Sequence, residues 1–204
     1  MTPESARQAA AAMLETLTPV SNDNWEQPAG TLEWSCRATL EHVAHAMDRY
    51  ALHLAGSATE RLVFQLINHP ECSPMDLLRL VDLRAAVLGA VATAASQEAR
   101  TVHVFGRPDA EGCVAMGCIE MLVHTDDVAQ GLGVRFAPPA DIVRQVLARL
   151  FPWAPTDTDP WLTMQWATGR ADLPGHARVG PDWAWFASPL SEWDGEIKTR
   201  ASYA

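Results

Sequence analysis

No part of this chain constrains its fold more than residues 117–132, GCIEMLVHTDDVAQGL, which read as a single helix. Glu120 and His124 lie four residues apart in it, a little over one helical turn, so both side chains leave one face and can reach one point. One carboxylate oxygen and one imidazole nitrogen are a workable pair of metal ligands. A Glu and a His at this spacing also occur on ordinary solvated faces. Here Ile119, Leu122 and Val123 crowd both residues and leave little room for a wet stripe. Further support comes from a helix far upstream.

Taken in order, the chain is a series of helices with legible ends. Thr2-Pro3-Glu4 is a start signal: a capping hydroxyl, a proline in the first turn, an acid at the positive end of the dipole. The helix it opens runs to about Leu17 and buries Ala9, Met13, Leu14 and Leu17. Residues 18–34 are rich in turn formers and form a loop, with Trp25 and Trp34 expected to anchor it. Ser35 caps a second helix that closes near Gly56 and buries Leu40, Val43, Ala44 and Met47. The same helix carries His42 and His45, three apart and on neighbouring parts of one face. His53 and His69 fit surface or loop positions.

Residues 61–69, RLVFQLINH, fit a short helix or a strand; their low β-branched content favours a helix ending before Pro70. Ser73 opens a third helix of more than twenty residues with a Ser-Pro-x-Asp start. TVHVFGRPDAEG is a connection that turns at Gly106 and Pro108, and His103 in it is not read as a ligand. The fourth helix spans about residues 109–132 and stops at Gly131 and Gly133. A shorter amphipathic helix, ADIVRQVLARLF, follows Pro138-Pro139.

Composition shifts after residue 151, because six of the eight tryptophans fall in the last quarter of the chain together with many prolines. The expected organisation is a helical bundle over residues 1–151 and a Trp-rich appendage over residues 152–204 packed on it. The appendage begins as a helix that breaks at Gly169. The fold class is therefore all-α, a four-helix bundle. Ligand sites in bundles are built from inward side chains on facing helices.

Placing His42 opposite Glu120 and His124 gives a two-His, one-carboxylate set. Three protein ligands leave a coordination position open, the mark of a catalytic site. Several divalent metals suit the set, zinc being the expected one. Asp127, three residues past His124, could orient an imidazole or be an exposed acid. His45 could replace or support His42. The four cysteines, Cys36, Cys72, Cys113 and Cys118, show no paired spacing and are read as free thiols, with Cys113 or Cys118 a possible soft ligand.

The formal net charge is −10 and no Lys/Arg cluster appears, which argues against a nucleic-acid partner. The N-terminal stretch is amphipathic rather than a signal peptide, and no apolar run approaches the ~20 residues that span a bilayer. The expected setting is cytoplasmic, with no membrane partner, and the expected assembly a monomer or homodimer.

Residues 34–42, WSCRATLEH, resemble the Trp-Ser/Thr to His entry of the DinB-like metal-binding bundles. Glu120-x-x-x-His124-x-x-Asp127, running into Gly131-Leu132-Gly133, is similar to the second ligand helix of the mycothiol-dependent maleylpyruvate isomerase branch. Three-His members of the superfamily carry His where this chain has Glu120, which points to that branch. TMQWATGRADLPG, residues 163–175, resembles the GR-containing C-terminal segment of actinobacterial relatives. The resemblance implies that His42, Glu120 and His124 hold a divalent metal, with mycothiol or a similar thiol as co-substrate and a small electrophile as substrate. Arg170, in the resembling tail, would offer a guanidinium fork to a carboxylate of substrate or thiol, or else stack among tryptophans. The tail is shorter than the separate C-terminal domain of the isomerase itself, so the implication is the wider class of thiol-dependent transferase or isomerase. Two other classes stay open. One is a non-catalytic bundle that binds a small ligand or partner through exposed tail aromatics. The other is a metal-assisted hydrolase with Asp127 or His45 as base.

Overall fold

A computed structural model describes residues 1–64, 66, 68, 69 and 71–204. They form an all-helical protein, with isolated bridges in place of strands among the described residues. Four long helices come first: α1 (Pro3–Leu17), α2 (Cys36–Ala55), α3 (Pro74–Ala94) and α4 (Ala110–Gly131). Two shorter ones follow, α5 (Ala140–Leu150) and α6 (Pro160–Ala167), and then a tail with 3₁₀ turns at Leu190–Glu192 and Arg200–Tyr203. None of the described helices is long and apolar enough to cross a membrane.

Local chemistry sets most helix ends. Ser35 Oγ accepts the Ala38 N–H at 3.1 Å to start α2. Ser73 and Asp76 cap each other across the first turn of α3: the Asp76 N–H donates to Ser73 Oγ and the Ser73 N–H to Asp76 Oδ2. Asp109 Oδ1 takes the Gly112 N–H at 2.7 Å to start α4. The end of α4 differs from its expected form. Gly131 is still helical, Leu132 caps, and Gly133 supplies the left-handed residue at φ +71°.

Each of α1 and α2 packs against both α3 and α4, while α5 lies against α4 and α6 against α5. This leaves α4 surrounded, and every residue from 112 to 123 is buried. A helix that is apolar on all sides has this place in a fold. Its neighbours approach very closely at Gly117, where a Cβ would stand 2.8 Å from Leu88 of α3 and 3.2 Å from the Met47 sulfur of α2.

Some expectations change. Among the described residues of 61–69, none is helical; Gln65, Ile67 and Pro70, on which part of that expectation falls, lie outside the described residues. His53 is buried rather than on the surface, and its Nε2 accepts the Leu62 N–H at 3.2 Å. Trp25 does anchor its loop, donating to the Val20 carbonyl at 3.0 Å, whereas Trp34 stays 47 % exposed. Of the six tail tryptophans, Trp166 and Trp185 are buried and the others half-buried, so the tail offers none as an exposed aromatic.

Buried Arg149 of α5 fastens the tail. It donates to the Ser188 carbonyl at 3.0 Å, the Ala187 carbonyl at 3.1 Å and Asp109 Oδ1 at 2.8 Å. One guanidinium thus joins α5, the cap of α4 and the tail.

Candidate metal centre

α2 and α4 face each other and bring His42, Glu120 and His124 together, with one ligand atom from each lying within 4.8 Å of the other two. His42 Nε2 is 3.2 Å from Glu120 Oε2, and His124 Nε2 is 3.3 Å from the same oxygen. Ligands about 2.0–2.1 Å from a tetrahedral metal stand about 3.3–3.4 Å apart, so both separations match what a zinc-sized ion requires.

The surroundings orient each donor. Asp127 Oδ2 lies 2.9 Å from His124 Nδ1. An ionised carboxylate only accepts, so Nδ1 carries a proton and Nε2 is the nitrogen left to face Glu120. Tyr50 donates to Glu120 Oε1 at 2.8 Å, which occupies that oxygen and leaves Oε2 as the converging point. Lone pairs on Nε2 and Oε2 repel unless a proton or a cation sits between them. This donor set therefore fits a divalent metal, and the carboxylate–histidine pairing behind it is the usual support of such ligands.

Charge on these groups follows from their neighbours. Burial pushes the Glu120 carboxyl up, but hydrogen bonds and charge from His124 and His42 outweigh it and hold it well below its ordinary value. Burial lowers His124, yet Asp127 and Glu120 together leave it raised. Asp127 is also raised by burial and pulled below its ordinary value by His124 and Arg170. Burial first, and the Glu120 charge next, keep Tyr50 far above the normal phenol range, so it remains a donor.

Arg170 borders the same cavity as the three donors, with its fork turned to a neighbour in the chain. Its Nε and Nη2 donate to Asp127 Oδ1 and Oδ2 at 3.1 and 2.7 Å. The fork expected to face a substrate carboxylate is filled by a carboxylate of the chain itself. Gly169, at φ +71°, makes the turn that brings Arg170 back from α6. The result is a continuous line, Arg170 to Asp127 to His124, that ends at the convergence point.

His45 stands apart from the cluster. Its Nδ1 is buried without a hydrogen-bond partner among the described residues, and its ring meets Phe64 edge-on at 5.6 Å. Cys113 and Cys118 are also outside it, buried, with thiols pushed up to about 12.

The donors open into a cavity of about 470 Å³. Trp34 stands at its edge, 5.0 Å from the His42 ring. Arg49, Tyr50, His103, Trp185 and the exposed Arg200 also line it. Sequence reasoning missed Tyr50 and His103. Tyr50 sits on the His42 helix about 12 Å further along the axis, and helical side chains lean toward the N-terminus, which returns its hydroxyl toward Glu120. An eight-residue His-to-Tyr spacing was the available signal; nothing local marks His103.

No protein-family model, no curated protein and no solved structure matches this chain.

Proposed function

We propose that this protein is a divalent-metal-dependent enzyme that uses a low-molecular-weight thiol, mycothiol or a similar one, for transfer to or isomerisation of a small electrophile. Its fold would be the DinB-like four-helix bundle, of the mycothiol-dependent maleylpyruvate isomerase type, with zinc as the expected metal. One observation carries the reading: His42, Glu120 and His124 converge at ligand separations, with His124 oriented by Asp127 and Glu120 by Tyr50. A divalent cation bound there would hold a thiol as its thiolate at neutral pH, where a free thiol of pKa ~8.5 is only a few per cent ionised.

The chain's own residues would supply the rest. Asp127 fixes the His124 proton on Nδ1, and Arg170 keeps Asp127 ionised through two hydrogen bonds. Tyr50 prevents Glu120 from rotating away. Trp34 and Trp185 give the cavity flat apolar walls suited to a planar electrophile while thinning the water around it. The binding-module reading rested on exposed tail aromatics, which the tail does not present.

The test is turnover. Zinc-reconstituted protein mixed with mycothiol and a panel of conjugated alkenes, epoxides and quinones should consume at least one electrophile in a thiol- and metal-dependent way, and the His124→Ala variant should not. Conversion of every electrophile in the panel at the uncatalysed rate, by fully metallated protein with thiol present, would sink the proposal.

A further inference from the structure

His103 is fixed more firmly than a connecting loop requires. Its backbone N–H donates to the Gly106 carbonyl at 3.0 Å, and the Gly106 N–H returns to the His103 carbonyl at 3.3 Å. Gly106 makes this turn possible, since it lies at φ +120° and a Cβ there would stand 2.7 Å from Ser188 Oγ. The Ala187 N–H donates to the Phe105 carbonyl at 3.1 Å and ties the turn to the tail.

The ring is boxed as well. Trp185 stacks on it at 5.5 Å and 18°, Phe105 meets it edge-on at 5.4 Å, and Tyr50 does so at 5.9 Å. His103 Nδ1 accepts the Phe105 N–H at 3.2 Å. With Nδ1 the acceptor, the proton of the neutral ring is on Nε2. That N–H has no hydrogen-bond partner among the described residues, and the ring lines the same cavity as Glu120 and His124. Tyr50 touches both the His103 ring and Glu120, so the free N–H lies one side chain away from the metal ligands.

We propose that His103 is a substrate-binding residue whose Nε2–H donates a hydrogen bond to the carbonyl oxygen of a conjugated carbonyl electrophile bound in this cavity. The inference rests on the thiol-addition reading of the site. Burial, with Arg49 adding to it against the opposing charge of Glu120, lowers His103 to about 4, so the ring is neutral at working pH. A neutral imidazole donates without taking a proton, as an oxyanion-stabilising group must.

The electron count is simple. The thiolate sulfur bonds to the β carbon, the alkene π pair becomes the new bond between the α and carbonyl carbons, and the carbonyl π pair moves onto oxygen. That oxygen is the atom the Nε2–H holds. Rotation about the bond between the α and β carbons, now single, followed by return of the electrons and loss of the thiolate, gives the isomer. If instead the α carbon takes a proton from water, the thiol stays attached.

The probe is 4-(dimethylamino)cinnamaldehyde, a conjugated aldehyde whose absorption moves to longer wavelength when its carbonyl oxygen accepts a hydrogen bond. It is added to metal-free protein, so the reading is independent of metal loading, which is measured separately by plasma mass spectrometry. The shift is expected in wild type, is retained in His103→Gln, which keeps a donor, and is lost in His103→Phe, which keeps the packing. The ¹⁵N resonance of His103 Nε2 in labelled wild type should move on probe addition, a readout that does not depend on any variant folding. An unshifted band in wild type, an equal shift in His103→Phe, or an unmoved Nε2 resonance would each overturn the proposal. A wild type that shifts the probe but takes up no metal would leave His103 as a carbonyl donor and remove the metal-dependent reading instead.

Discussion

Asp127 decides which nitrogen of His124 faces the ligand position. Its carboxylate can only accept, so a proton is held at Nδ1 and Nε2 is the nitrogen free to take a metal. Asn at this position has nearly the same shape but can donate through its amide, which would favour the opposite tautomer and turn a proton toward Glu120. It would also lose the charge that pairs with Arg170. The Asp127→Asn variant is expected to bind zinc about 10–100-fold more weakly than wild type in a chelator competition, with its helical circular dichroism unchanged. Undiminished affinity would show that Asp127 is only a buried partner for Arg170. Glu120, His124 and Asp127 were legible as candidates because helical spacing aligns them within one element. Arg170 was legible as a residue but not in its role. Its position depends on a turn at Gly169 that folds the chain back over α4, and no local pattern specifies where such a turn leads.

Helix positions and ends were read well where a cap or a proline states them in a few residues, as at Ser35 and Ser73. Residues 61–69 were not, because apolar content without periodicity fits more than one local structure and tertiary packing decides between them. At α4 the glycines serve different purposes. Gly133 ends the helix, while Gly117 lets α2 and α3 close on it. A methyl at Gly117 would meet Leu88 at 2.8 Å, so the Gly117→Ala variant is expected to lose about 1–3 kcal/mol in urea unfolding despite the better helix propensity of alanine. An equal or higher unfolding midpoint would mean that the Leu88 and Met47 side-chain ends swing aside and that Gly117 does not set how closely α2 and α3 approach α4.

Across the whole molecule, the tail is part of the site. It contributes Arg170 behind His124, Trp185 against His103 and Arg200 at the cavity wall. Sequence composition revealed that a tail exists but not what it touches. Arg149, the residue that secures it, looks like an ordinary cation on an amphipathic helix until the fold buries it. Arg149→Met would strand two carbonyls and Asp109, at a cost of about 3 kcal/mol. It should also release the tail, seen as a red shift in tryptophan emission and faster proteolysis after residue 151. A blue, protease-resistant variant would place the fastening elsewhere. The proposed metal site draws on the long helices and the tail together, so metal uptake would report on the whole arrangement. The most direct test is metal content by plasma mass spectrometry, after reconstitution with zinc, nickel or manganese, for wild type and the His42→Ala, His45→Ala and His124→Ala variants. The account predicts about one equivalent in wild type and His45→Ala and none in the other two, as a three-ligand site requires. A wild type that stays empty with all three metals, or a His45→Ala protein that loses the metal while His42→Ala keeps it, would contradict the account.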